Sequence, residues 1–276
     1  MESYYYSFEY TRGIKVKKIW RMEQIFIAQY LKQLLEYKGD FIVGILGVFL
    51  TQGLNIFFLN IIFSKIPNLQ GWTFKQIIFI YGFSLIPKGI DHLFFDNLWL
   101  VSYRLVRMGD FDKYLTRPLN TLLYVAVEIF QVDAFGELLV GGLLLASSFG
   151  SVQWTAVKVI CFIIAIPFAT AIYTALKIAT SSLAFWTKSS GQISQIFYMI
   201  NDFAKYPTQI YNGVIRFVIS FIVPFAFTAF YPASYILSGN NVLFNIGGLI
   251  IISIMLLVIA LNIWKKGISV YESAGS

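Results

Sequence analysis

Three stretches of the chain, 41–64, 159–176 and 217–264, contain no charged residue, and the apolar positions within them show no period-2 alternation. A helix needs about 20 apolar residues to cover the ~30 Å of a bilayer core, so each run is about long enough to span and the last is long enough for more than one pass. Backbone groups in hydrocarbon must be satisfied within the segment or in a closed barrel, and without barrel alternation this leaves helices. Weaker apolar runs add further spans, giving six expected crossings at 41–64, about 76–100, about 130–149, about 155–180, one within 191–237, and 242–264. The fifth has two readings. In one, 193–200 belongs to a span that emerges near Tyr206 and Pro207, and 215–237, broken at Pro224 and Pro232, is a re-entrant pair of half-helices. In the other, 215–237 is itself the span. Either way the bilayer is crossed once, and the fold class is an all-α polytopic membrane protein.

Residues 19–37, IWRMEQIFIAQYLKQLLEY, interleave apolar and charged positions and are too polar to span, so they predict an amphipathic helix in the membrane interface. The expected organisation is an N-terminal segment 1–40, a six-helix domain 41–264 and a C-terminal tail 265–276. No small-residue cleavage pattern closes the first apolar run, so that span is expected to act as its own insertion signal.

Composition agrees with the pattern: 58% of the 276 residues are hydrophobic and 13% charged, too few charges to cover a soluble domain of this size. The basic residues are unevenly placed. Arg12, Lys15, Lys17, Lys18, Arg21, Lys32 and Lys38 precede the first span, Arg104, Arg107, Lys113 and Arg117 follow the second, Lys188 the fourth, and Lys265 and Lys266 the sixth. The opposite side has Lys65, Lys75, Lys158 and, depending on the fifth span, Lys205 and Arg216. Both termini are therefore expected in the cytoplasm. The net charge of +7 follows from this asymmetry and from anionic headgroups, so no nucleic-acid partner is needed.

Few catalytic chemistries fit. Cys161 is the only cysteine and His92 the only histidine, which excludes intramolecular disulfides and multi-His or multi-Cys metal sites. There is no G-x-x-x-x-G-K-[ST] segment, no nucleophile elbow and no zinc motif. Residues 188–192, KSSGQ, only faintly echo the signature of cassette ATPases. What stands out is charge at membrane depth, costing at least ~2.5 kcal/mol per group without a partner or a wet cavity. Lys88, Asp91 and His92 share one helical face after Pro87, and Asp133 and Glu137 lie one turn apart in the third span. The simplest pairing on that face is Lys88 with Asp91, and Lys177, near the inner end of the fourth span, is a further counter-charge. These groups are either structural ion pairs or a polar translocation surface or proton relay.

Residues 109–142, GDFDKYLTRPLNTLLYVAVEIFQVDAFGELLVGG, resemble the hallmark segment of bacterial ABC-2 type permeases, the membrane subunits of ATP-binding-cassette exporters. In that family a G-[DE]-x-D-x-x-L-x-R-P-L element leads into a helix bearing an acidic residue and then a D-x-x-G-[DE]-L-x-x-G pattern. Here Gly109, Asp110, Asp112, Leu115, Arg117 and Pro118 match the first, and Asp133, Gly136, Glu137, Leu138 and Gly141 the second. Residues 35–41, LEYKGDF, and the YP, IVPFAF and YPASYIL pieces of 206–237 also match, although Lys38 stands where arginine is more usual. The resemblance implies a six-helix permease of the bacterial cell (inner) membrane with an interfacial N-terminal helix and a re-entrant element before the last span. It implies an ATP-binding-cassette ATPase partner that holds ATP and Mg, no cofactor in this chain, and a second permease subunit, commonly non-identical.

It also implies that residues 104–120, RLVRMGDFDKYLTRPLN, form the element that docks on the ATPase. Gly109 suits a tight turn, Asp110 can cap the short helix that follows, and Pro118 biases Arg117 away from helical geometry. Asp110, Asp112, Lys113 and Arg117 are accordingly expected to be exposed in the isolated chain and covered by the partner. An ion-coupled secondary transporter is the alternative raised by Lys88, Asp91, Asp133 and Glu137, but it would be supported by internal repeats, and none is evident. A membrane enzyme acting on lipid is weaker still, since no base and nucleophile converge. The 18% aromatic content suits an amphipathic cargo and lipid-facing helices equally.

Overall fold

In the computed structural model, residues 38–117 and 120–273 are described; the expected interfacial helix 19–37 and Pro118 lie outside the described residues. The main helices are α1 (Lys38–Lys65), α2 (Phe74–Phe95), α3 (Asp112–Leu115), α4 (Thr121–Val127), α5 (Ala134–Ser148), α6 (Ala156–Ser182), α7 (Gly191–Ile200), α8 (Gly213–Phe217), α9 (Phe230–Ser238) and α10 (Gly248–Val270). The described residues hold no strand, only an isolated bridge between Leu69 and Trp72 in the α1–α2 turn. Five segments are long and apolar enough to cross a membrane: Ile42–Lys65, Phe74–Phe95, Ala134–Ser151, Ala156–Thr187 and Leu243–Val270. A sixth is reached if Gly213–Ile222 and Phe225–Ser238, which meet at 73°, are counted as one.

Local chemistry sets several helix ends. The Gln76 side chain accepts from the Thr73 N–H at 2.9 Å where α2 begins. Thr155 accepts from the Lys158 N–H at 3.3 Å at the start of α6, and Asn120 from the Leu123 N–H at 3.1 Å at the start of α4. Each satisfies a donor that the first helical turn leaves open.

Helix α2 is the most enclosed of the spans, packed by α5, α6, α9 and the 3₁₀ turn Asn201–Lys205. Its crossing with α5 is made by glycine on both sides. A Cβ on Gly82 would lie 2.9 Å from Leu144 Cβ, and one on Gly141 would lie 3.1 Å from the Gly82 carbonyl, so the two backbones approach as small-residue membrane interfaces do. Helix α1 touches this core through Val48, which lies against Gly136, and through Gln52, which accepts from the Tyr81 hydroxyl. Farther along, Leu59 is buried in the same core, with Ile56 and Phe63 packed against it, while Leu46, Leu50, Leu54 and Phe57 are exposed, as a lipid-facing surface requires. A second core of Leu98, Val101, Leu105, Phe111, Tyr114, Val125, Phe185 and Trp264 closes the end of the bundle from which residues 104–117 project.

Two expected spans end differently. The second helix stops at Phe95, because Asp96 and Asn97 form a turn before Leu98–Leu100 and the π-helical Val101–Leu105. Buried Asn97 donates to the Val125 carbonyl at 2.5 Å, a tertiary bond that fixes the break. The third helix begins at Ala134 instead of near 130, because the Gln131 N–H donates to the Leu93 carbonyl at 3.1 Å. The last helix continues through Lys265 and Lys266 to Val270.

The fifth region is fragmented. The Ser190 N–H, just before α7, donates to the Ser102 carbonyl at 2.9 Å, and farther along Asn201 accepts from the Tyr173 hydroxyl and Lys205 lies over the Tyr81 ring. Beyond the loop, the bend of the α8–α9 pair reaches Tyr173 again, since Thr228 donates to its hydroxyl at 3.2 Å. The exit of α9 lies at the start of α6, where Lys158 Nζ is 3.5 Å from the Leu237 carbonyl.

Candidate functional site

The charged residues of the spans converge where α2, α5 and α6 meet. Lys177 on α6 reaches Asp91 Oδ2 at 2.6 Å and Asp96 Oδ1 at 2.9 Å, and Thr174 one turn earlier donates to Asp91 Oδ1 at 2.7 Å. Asp91 is fully buried and the Lys177 side chain is 4% exposed. Lys88 reaches across to Glu137 Oε1 on α5 at 2.9 Å. Between the two pairs stands His92, with Nδ1 3.5 Å from Glu137 Oε2 and Nε2 3.8 Å from both Asp96 Oδ2 and Asp133 Oδ2.

Two details differ from the sequence expectation. Lys88 pairs with Glu137 and not with Asp91, because both Lys88 and Glu137 lie at the α2–α5 contact while Asp91 is turned toward α6. Asp133 is the N-cap of α5 and partly exposed, whereas Glu137 in its first turn is buried. The arrangement sets four carboxylates against two lysines and one imidazole. It ties three helices together and leaves the Asp133 edge open. Among the described residues no group of His, Cys, Asp or Glu is arranged to hold a metal ion.

Residues 104–117 form a compact cap on the same end of the bundle. Gly109 has φ +79°, the left-handed region that glycine enters without strain, and turns the chain into α3. Asp110 does not cap α3, whose N-cap is Phe111; it is 3.3 Å from Arg104 Nε instead. Of the charged residues expected to be exposed, Asp110, Lys113 and Arg117 are exposed and Asp112 is half-buried, and each also has a partner within the chain. Lys113 is 3.0 Å from Glu128 Oε1, and the same carboxylate accepts from the Tyr114 hydroxyl. Burial, reinforced by that carboxylate, raises the Tyr114 phenol above its ordinary pKa. Arg117 lies over the Tyr124 ring and donates to its hydroxyl. Asp112 is half-buried and accepts from Tyr271 and Ser273. Two apolar side chains, Met108 at 62% and Leu115 at 43%, are exposed on the cap, among the exposed Arg104, Arg107, Asp110, Lys113 and Arg117.

The family model described as "ABC-2 family transporter protein" matches residues 49–275. The chain belongs to the ABC-2 transporter family. No curated protein and no solved structure gives a significant match. The match makes the polytopic helical architecture that of a transporter's membrane subunit, a multi-pass ABC-2 permease component.

Several residues that complete the permease's two polar regions escaped sequence reading. Asp96 is four residues from His92 and within the expected second span, so its charge at depth was an available signal. Glu128 falls where the family pattern places an acidic residue in the helix after the loop, and its contacts to Lys113 and Tyr114 give it a role. Tyr271 and Ser273 left no signal, because they lie in the tail far from Asp112 along the chain.

Proposed function

We propose that the permease exports its substrate across the bacterial cell membrane, driven by ATP hydrolysis on separate cassette ATPase subunits. Those subunits hold ATP and Mg, and this chain holds no cofactor. A second permease chain, identical or not, completes the pathway. The observation that carries this reading is the family match over 49–275, which includes the capped element of residues 104–117. The positive-inside distribution supports a cytoplasmic location for that element and for both termini. There an ordered surface with exposed Met108 and Leu115 suits a protein partner better than water.

The bent α8–α9 pair is read as re-entrant. Its two arms, Gly213–Ile222 and Phe225–Ser238, are each shorter than a bilayer core. Its bend meets Tyr173 in the body of α6 while its exit meets Lys158 at the helix start. The α2–α5–α6 charge cluster is read first as the structural joint of the bundle. Its most open member among the described residues of the cluster is Asp133, at 40% exposure, where polar cargo would meet charge.

The test is reconstitution. The purified permease in vesicles is expected to hydrolyse no ATP, and hydrolysis and transport are expected only after the ATPase encoded alongside it is added. ATP hydrolysis by this chain alone, in preparations free of other ATPases, would overturn the reading. Uptake driven by an ion gradient without ATP would favour a secondary transporter.

A further inference from the structure

Beyond the membrane end of α10 the chain turns back onto the cap. Both oxygens of the Asp112 carboxylate are occupied there: the Tyr271 hydroxyl donates to Oδ1 at 2.9 Å and the Ser273 hydroxyl to Oδ2 at 2.5 Å. Next to Asp112, the fully buried Phe111 sits in an aromatic box, with ring centroids 4.9 Å from Phe185, 5.2 Å from Tyr271, 5.6 Å from Tyr114 and 6.0 Å from Trp264. Gly267 lets Phe185 lie against α10, since a Cβ there would be 2.4 Å from Phe185 Cδ2. The box therefore joins the loop, the Ala184–Thr187 turn after α6, and the end of the last helix. Burial and the neighbouring carboxylate push the Tyr271 phenol up to about 12, so it remains a proton donor throughout the physiological range.

Each oxygen of the Asp112 carboxylate already accepts one hydrogen bond from the chain's own tail, so the group is held and oriented inside the chain before any partner arrives. We propose that Tyr271 and Ser273 form a clasp on Asp112 that fixes the cap to α10, so that the docking element and the last helix move as one body. Asp112 is then a positioning residue, and its outward neighbours make the partner contacts. This rests on the reading of residues 104–120 as the ATPase-docking element. A cap held only by its two chain connections would take up the ATPase's motion as local bending. Clasped to α10 and boxed with the end of α6, it passes that motion to two spans.

Two readouts separate the clasp from the docking it serves. In inverted vesicles without any ATPase, a glutamate-specific protease is expected to cut after Glu272 slowly in the wild-type chain. It should cut about tenfold to a hundredfold faster in Asp112→Ala and in Tyr271→Phe with Ser273→Ala, the change in open population that losing hydrogen bonds to a charged group produces. With the ATPase present, transport per ATP hydrolysed is expected to fall to a similar degree in both variants. Combining them should add nothing further, because they break the same contacts. Asp112→Asn, which can still accept one of the two bonds, should fall between wild type and Asp112→Ala. Equal cleavage of wild type and variants overturns the clasp whether or not the docking reading is correct. Normal transport per ATP in Asp112→Ala overturns its positioning role. Additive losses would return Asp112 to direct contact with the partner and overturn the proposal. Failure of the ATPase to bind even the wild-type permease would sink the docking reading, and the cleavage result would still decide the clasp.

Discussion

Lys177→Met is expected to remove nearly all folded permease from the membrane. Lys177 is the sole cation within ion-pair distance of Asp91 among the described residues, and Asp91 is fully buried between α2 and α6. Removing one member of a buried pair leaves the other charge without compensation, at a cost of about 3–5 kcal/mol. That is a large share of the stability of a typical domain. The geometry makes the effect one-sided. Asp91→Asn leaves Lys177 its second carboxylate, Asp96 at 2.9 Å, and keeps an acceptor for Thr174, so its loss should be much smaller. Lys177→Met with Asp91→Asn should recover much of what Lys177→Met alone destroys, since no unpaired charge then remains at Asp91. Monodisperse, membrane-extracted protein measured for the three variants checks this; equal damage from both single substitutions would mean that the pair is not arranged as described. Recovery of folding without recovery of transport would show that the cluster also faces the cargo.

Met108→Asp combined with Leu115→Asp is expected to detach the ATPase while leaving the permease folded. Both side chains are exposed on the cap, and placing charge on them creates no buried defect in the isolated chain. Charge at two interface positions, at about 2 kcal/mol for each hot-spot residue, should weaken association by roughly a thousandfold. Substituting Arg104 or Asp110, an exposed pair, should cost under ~1 kcal/mol. Lys113 and Arg117 are already engaged by Glu128 and Tyr124, so alanine at either should act mainly by loosening the cap. Co-purification of the ATPase with each variant decides. Undiminished recovery with the doubly substituted chain would remove Met108 and Leu115 from the docking face.

The spans were legible where charge is absent over a bilayer's length. The first uncharged run, 41–64, became Lys38–Lys65, and the fourth expected span, 155–180, became Ala156–Ser182. The pattern failed at boundaries that tertiary bonds set. Apolar residues resume at Leu98–Leu100 beyond Phe95 and stand at Phe130 and Val132 before Ala134, but Asn97 bonding to Val125 and Gln131 to Leu93 end those helices. Pro224 marked a break, yet only the contacts of Thr228 and Leu237 show how the chain folds there. In the candidate site, sequence singled out Lys88, Asp91, His92, Asp133, Glu137 and Lys177 because charge at membrane depth needs a partner. It did not identify the partners, since Lys88 with Glu137 and Lys177 with Asp91 each join different helices. The cap's ordering by Tyr271 and Ser273 was hidden for the same reason.

The central claim is that residues 104–117 are a preformed surface, cytoplasmic in the proposed topology, on which an ATPase docks, and thiol labelling of Met108→Cys tests it directly. Cys161 is buried and should stay silent, and Gly109 is unsuitable as a reporter because its positive φ would strain any other residue. The exposed loop residues Asn68 and Asn240, replaced by cysteine, serve as external controls. With an impermeant maleimide the account predicts labelling of both controls but not of Met108→Cys in intact cells. It predicts labelling of Met108→Cys in inverted vesicles, and protection of that site when the ATPase is added. Labelling of Met108→Cys from outside, or labelling in inverted vesicles that the bound ATPase leaves unchanged, would contradict it.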